Sequence, residues 1–171
     1  MNDQNQTANA SSAFTLRPVV AEDEPLLLEL YACTRAEEMA MVPWTREQQE
    51  AFVKMQFDAQ QAHYTKIQPD ARHDIILSNG RPVGRLYVAR TNDRIEIMDI
   101  TVLPQERNAG IGSSLISDLM EEAASSRPLR IYVENFNPSL HLFERLGFKA
   151  VEEDGFMLLM EWVPSIPPLS Q

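Results

Sequence analysis

Apolar residues recur along this chain at two spacings, and the spacing changes from one segment to the next. Phe14 to Val19 alternates as a first strand. Pro25 then opens a helix to about Thr34, with Leu27, Leu30 and Tyr31 on one face, and residues 35–44 read as irregular. Thr45 is placed as the N-cap of a long helix to about Ile67, whose apparent stripe is Phe52, Met55, Ala59 and Ala62. Asp74–Ser78 and Pro82–Arg90 read as strands joined by the hairpin signal Asn79-Gly80. Arg94–Leu103 is a further strand. After Gly112, the residues Leu115, Ile116, Leu119, Met120 and Ala123 mark the buried side of a helix. Leu129–Glu134 is a strand, and Asn137-Pro138 reads as an N-cap and first position of a short helix closed by Gly147. Phe156–Trp162 is expected as a last strand paired with Phe148–Val151. The pattern predicts an α/β sandwich, with helices on both faces of a mixed central sheet of about six to seven strands.

The passage from Arg94 to the helix after Gly112 carries the most chemistry. A strand runs into Arg107-Asn-Ala-Gly-Ile-Gly112 and then into an amphipathic helix. Helix N-termini leave backbone N–H groups without partners at the positive end of the dipole, which suits a phosphate. Gly110 and Gly112 let the backbone come close, and Arg107 adds a charged donor. A dinucleotide turn of the Gly-x-Gly-x-x-Gly kind fits poorly, because position 115 is Leu. No Gly-Lys-Ser/Thr follows, so a P-loop fits worse.

Composition narrows the partners. The 171 residues carry a net charge of −10 with a pI near 4.7. That surface argues against nucleic acid and against an anionic membrane, and weakly favours a cationic substrate. Cys33 is the single cysteine, so no intrachain disulfide forms, and it follows a helical stripe that should bury it. His63 and His73 lack metal-ligand spacing, so no metal is expected. No apolar run reaches the roughly 20 residues that span a bilayer. Residues 1–13 are polar and read as a disordered tail rather than a secretory signal. Residues 14–163 form one domain and 164–171 a Pro-rich tail, and a cytoplasmic location is expected.

The turn resembles the acetyl-CoA motif Gln/Arg-x-x-Gly-x-Gly/Ala of the GNAT superfamily of N-acyltransferases. Downstream, Asn137-Pro-Ser-Leu-His-Leu-Phe-Glu-Arg-Leu-Gly-Phe148 resembles that family's second motif, at the usual distance. The opening Phe14–Asp23 is similar to its first strand and turn, and the element order matches from about residue 14 to 162. The resemblance implies a GNAT fold and acetyl-CoA as co-substrate. Its pantetheine arm would pair with the backbone of Ile100, Thr101 and Val102. Its pyrophosphate would lie on the amides of Asn108, Ala109, Gly110, Ile111, Gly112 and Ser113, with Arg107 alongside and Asn137 on the arm. The implied reaction is direct attack by a primary amine of a small molecule. A protein N-terminus as acceptor, or an acyl-CoA-binding module with little turnover, are the alternatives, and a homodimer stays open.

The resemblance offers two bases. Glu96 stands sixteen residues before Gly112, which matches the glutamate of the histone-acetyltransferase branch. Asp99 matches an acid of the polyamine branch. Their strand parity is opposite, so they should face opposite sides unless a bulge intervenes. Glu96 reads equally well as a surface partner of Arg94, and Asp99 as a hydrogen-bonded brace. Phe143 lies beside the arm where the family often has a Tyr that protonates the leaving thiolate. Tyr132 and His141 are substitutes, although Tyr132 reads better as core packing and His141 as surface. Met39, Met41, Pro43 and Trp44 either wall the acceptor pocket or cap the core, and Glu37 and Glu38 lie beside them.

Overall fold

The hairpin turn, the helical stripe after Gly112 and the glycine-rich turn each form where the sequence requires, and together they frame one sheet. The computed structural model describes residues 14–124 and 127–165. The expected N-terminal tail and most of the Pro-rich end lie outside the described residues. Strands β1 (Phe14–Pro18), β2 (Arg72–Ser78), β3 (Arg81–Arg90), β4 (Ile95–Val102), β5 (Leu129–Glu134), β6 (Lys149–Asp154) and β7 (Met157–Trp162) lie in the order β1-β2-β3-β4-β5-β7-β6. Only β4 and β5 run parallel, as a helical crossover between them demands.

Helix α3 (Ile111–Ala123) packs Ile111, Leu115, Ile116 and Leu119 on one sheet face, with Phe143 of α4 (Leu140–Arg145) in the same cluster. Helices α1 (Glu24–Ala40) and α2 (Arg46–Ile67) cover the other face, where Leu27, Tyr31, Val53 and Phe57 meet Ile75.

Three local expectations need correction. α1 runs on to Ala40 instead of ending near Thr34, because Arg35 and Glu38 pair at 2.8 Å one turn apart and Met39 is buried. α4 begins at Leu140, because Asn137 makes a turn first: its side-chain oxygen accepts from the Ser139 N–H at 2.9 Å. In α2, the Thr45 cap holds through reciprocal bonds with Gln48. Its inward stripe is different, however. Met55 is 60% exposed, and the sheet-facing residues are Val53, Phe57, Gln60, Gln61 and Tyr64.

Gly84 fixes the closest approach of β3 to β4. A Cβ there would lie 2.5 Å from the Thr101 carbonyl oxygen, a backbone atom that cannot swing aside. Gly84→Ala is therefore expected to destabilise the protein by about 2 kcal/mol, lowering the melting temperature by roughly 4–8 °C. An unchanged melting curve would contradict this packing.

Candidate active site

Strand β4 pairs with β5 only through Ile95, Glu96 and Ile97, opposite Leu129, Arg130 and Ile131. Beyond Ile131, β5 continues along β7 to Glu134, whereas β4 follows β3 to Val102. A gap therefore opens in the middle of the sheet, and one edge of β4 loses its partner.

A bulge decides which backbone groups that edge presents. Tyr87 pairs with Asp99 but Val88 pairs with Ile97, so Met98 is the extra residue. Before the bulge, the Ile95 N–H donates to the Pro128 carbonyl on the β5 side at 3.0 Å, so residues 95 and 97 face β5. After it, the Leu103 N–H donates to the Val83 carbonyl at 2.8 Å, so Leu103, Thr101 and Asp99 turn their backbone groups toward β3. The groups of Ile100 and Val102 are left facing the gap. Thr101, expected with them, lies between them with its backbone bonded the other way.

The same bulge changes the side-chain pattern. Glu96 and Asp99 stand on one face, the α1–α2 face, together with Arg85 and Tyr87. Asp99 is already engaged: Arg85, only 1% exposed, donates to it, and so does the Thr101 hydroxyl at 2.7 Å. Gln60 and Gln61 of α2 accept from the same guanidinium at 2.7 and 3.3 Å. Glu96 is half-buried and accepts from Arg94 at 3.2 Å.

At the far end of β4 a one-turn 3₁₀ stretch, Pro104–Glu106, leads to the glycine turn. Asn108 and Gly110 take positive φ of 61° and 81°, and α3 starts at Ile111 with no side chain capping it. The amides of Ile111, Gly112 and Ser113 thus have no helical acceptor. At Gly110 an added Cβ meets nothing within 4 Å, so the turn opens to solvent. Gly112 serves packing instead, since its missing Cβ would lie 3.2 Å from Leu142 of α4. The Arg107 Nε donates to the Val102 carbonyl at 3.1 Å, which places the guanidinium at the bare β4 edge.

The remaining predicted residues separate. Asn137 lies at the start of the second motif and accepts from Ser139. Phe143 is 1% exposed and packs edge-on against Phe148, so its ring belongs to the core. Tyr132 is not core: it is 53% exposed, because α1 and α2 stop short of β5 and leave that part of the face uncovered. His141 is on the surface. Cys33 is only partly buried, and burial, with Glu29 adding to it, pushes its thiol up. Met39 lines a groove of about 510 Å³ between α1 and α2, but Met41 is exposed and Trp44 packs on Phe52. Among the described residues no cluster of His, Cys, Asp or Glu could hold a metal, and no helix is long and apolar enough to cross a membrane.

Sequence reasoning missed three residues. Arg35 ties α1 to β5, its Nη1 donating to Glu38 on α1 and to Glu134 on β5 at 2.8 and 3.3 Å. Tyr64 donates its hydroxyl to the Met98 carbonyl at 2.9 Å. Arg85 is buried on the same face, between Asp99 of β4 and Gln60 and Gln61 of α2. A charged side chain in the middle of the otherwise uncharged stretch Val83–Ala89 was the available signal for Arg85. Tyr64 and Arg35 carried none.

His73 stacks on Tyr87 with ring centroids 4.3 Å apart. Burial, with the Arg85 charge adding to it, brings its imidazole down from the ordinary 6.5 to about 4. Its folded value is below its unfolded one, so its contribution is complete above about pH 6.5 and is lost as pH falls to 4. The loss is at most about 3 kcal/mol, reduced by the ring's partial exposure. His73→Phe is expected to remove this sensitivity, and denaturation midpoints at pH 7, 5 and 4 check it. The loss at still lower pH belongs to Asp23, held down to about 2 mainly by its hydrogen bond from Arg17. Parallel wild-type and variant profiles between pH 7 and 4 would contradict the assignment to His73.

A family model described as the acetyltransferase (GNAT) family matches residues 30–148, which include the bulged strand, the turn and the second motif. The chain belongs to the GNAT acetyltransferase family. Among GNAT structures it is similar to the PaiA N-acetyltransferase of Thermoplasma acidophilum in complex with coenzyme A. That match has a TM-score of 0.63 at 17% identity, over 86% of this chain and 97% of that one. It is also similar to a GNAT acetyltransferase of Elizabethkingia anophelis with acetyl-CoA bound, with a TM-score of 0.57 at 18% identity over 88% and 98% of the two chains. These two likenesses carry the fold. A glucosamine 6-phosphate N-acetyltransferase of Trypanosoma brucei brucei is 39% identical over 56 residues, 33% of this GNAT chain and 38% of that relative's length.

Proposed function

We propose that this protein is an N-acetyltransferase that moves the acetyl group of acetyl-CoA to a primary amine of a small molecule. The observation that carries the reading is the bare β4 edge at Ile100 and Val102, which runs directly into the uncapped N-terminus of α3. An extended amide chain can pair with the first, and a diphosphate suits the second. The residues fit such a group: the turn at Gly110 is open, Arg107 is beside the edge, and no acid occupies the first turn of α3. The coenzyme-bound GNAT relatives support it by fold.

The chemistry follows from the position of the gap. A bound amine attacks the thioester carbonyl carbon, a C–N bond forms, the C–S bond breaks and a thiolate leaves. The amine must first lose its proton. Glu96 is the better base of the two acids, because Asp99 is committed to Arg85 and Thr101. Among the described residues Glu96 has one partner, Arg94, and can act directly or through a water. The Ile100 N–H, turned toward the gap, would steady the developing oxyanion. Phe143 cannot protonate the thiolate. Tyr132, exposed on the β5 side of the same face, is the phenol available for that role. Holding amine and thioester together supplies much of the rate.

Phe143 also favours a second reading, a coenzyme-binding GNAT module with little turnover. Thiol release from acetyl-CoA across a panel of small primary amines and N-terminal peptides separates the two. Release with small amines supports the enzyme. Tight acetyl-CoA binding without release for any acceptor supports the module.

A further inference from the structure

The residue that re-phases the β4 edge is held in place by a single side chain from another element. Tyr64, in the last turns of α2, donates to the Met98 carbonyl at 2.9 Å. Its ring meets Tyr87 edge-on, with centroids 5.4 Å apart. Tyr87 is the β3 residue that pairs on one side of the bulge. Tyr64 therefore grips both strands at the point where β4 gains its extra residue. Burial, with the Asp99 charge adding to it, pushes the phenol up to about 12, so the hydroxyl remains a donor at any working pH.

The consequence lies on the other side of the strand. Were the Met98 insertion to slip out or move along β4, the backbone groups of Asp99 and Thr101 would face the gap instead of those of Ile100 and Val102. Downstream, Arg85 on Asp99 holds side chains but not the Met98 peptide. Among the described residues, Tyr64 supplies the side-chain bond to that carbonyl.

We propose that Tyr64 is a positioning residue for acetyl transfer: its hydroxyl pins the Met98 bulge and so keeps the Ile100 N–H aimed at the thioester carbonyl. This rests on the acetyltransferase reading given above. Tyr64 acts through the Met98 peptide. Removing one hydrogen bond loosens the bulge without moving it along β4, so the arm can still pair with Ile100 and Val102 and the diphosphate turn beyond Val102 is untouched. The effect should appear in the chemical step, through the aim of the Ile100 N–H, and little in coenzyme affinity.

Tyr64→Phe in the full chain keeps the ring contact with Tyr87 and removes only the bond. Expected is a fall in kcat of about 10- to 100-fold, with the acetyl-CoA Kd and the amine KM within about twofold of wild type. An unchanged kcat, or a fall in kcat matched by an equal loss of acetyl-CoA affinity, would overturn the proposal. A second readout needs no turnover. The amide resonance of Ile100 should shift further with acetyl-CoA than with coenzyme A, and the difference should vanish in Tyr64→Phe. If wild type shows this difference and Tyr64→Phe abolishes it, but no amine is acetylated, the acetyltransferase reading fails while the pinned bulge stands. If wild type acetylates amines but Ile100 does not distinguish the two ligands, the proposal fails alone. If the variant does not fold, the wild-type comparison still overturns the proposal when Ile100 does not distinguish the two ligands.

Discussion

Gly110→Val is expected to weaken acetyl-CoA binding by about 100-fold while leaving the fold in place. The residue sits at φ 81° as the N-cap of α3, in a region where a β-branched side chain is strained. Valine must therefore shift the turn, and the amides of Ile111, Gly112 and Ser113 swing off their common focus. Each charge-assisted bond to a diphosphate is worth about 1.5–3 kcal/mol, so losing two gives roughly 3 kcal/mol or more, and hence the factor of 100. An added Cβ points into open space, so no protein atom is displaced and the core is untouched. Calorimetric titration gives the affinity, and a melting curve within a few degrees of wild type rules out unfolding as the cause. Unchanged affinity would mean that the turn does not hold the diphosphate.

Glu96→Gln is expected to lower kcat by about 100-fold, the usual order for removal of a general base. Glutamine keeps the shape and the bond from Arg94 but cannot take a proton. The deficit should be greatest at low pH, where nearly all of the amine is protonated. It should shrink as pH approaches the amine's own pKa and free amine accumulates. Steady-state rates from about pH 6 to 10 test the sign. A uniform loss at all pH values would point to Glu96 as a structural partner of Arg94. No loss would return the role to Asp99, and Asp99→Asn would then have to slow turnover without unfolding the Arg85 cluster.

What was legible in the sequence was local. Asn79-Gly80 closes the β2–β3 hairpin through its own backbone preferences. The spacing of Leu115, Ile116 and Leu119 fixes α3, because an amphipathic helix has to bury that stripe. The glycine turn and the second motif likewise announce themselves by composition. What failed in α2 and β4 depends on distant partners. The C-terminal part of the inward face of α2 is polar because Gln60, Gln61 and Tyr64 meet Arg85 and Met98, so apolar spacing selected Met55, which points to water. Strand parity put Glu96 and Asp99 on opposite sides, and a one-residue insertion held by Tyr64 from 34 positions away put them on the same side. Tyr132 read as core although Leu129, Ile131 and Val133 already take the buried positions of its strand, which puts Tyr132 with Arg130 and Glu134 on the other face. Its side is bare only because α1 and α2 cover the β1–β4 half of the sheet. The end of α1 was misjudged although the Arg35–Glu38 pair is local; only the second partner of Arg35, Glu134 on β5, comes from folding.

Crystals of the full chain grown with coenzyme A would decide whether the β4 edge and the glycine turn form one binding site. Diphosphate oxygens are expected about 3 Å from the amides between Asn108 and Ser113. The pantetheine arm should pair with Ile100 and Val102, and the Arg107 guanidinium should withdraw from the Val102 carbonyl. Coenzyme A bound elsewhere, with Arg107 still on that carbonyl and the β4 edge bare, would refute the site.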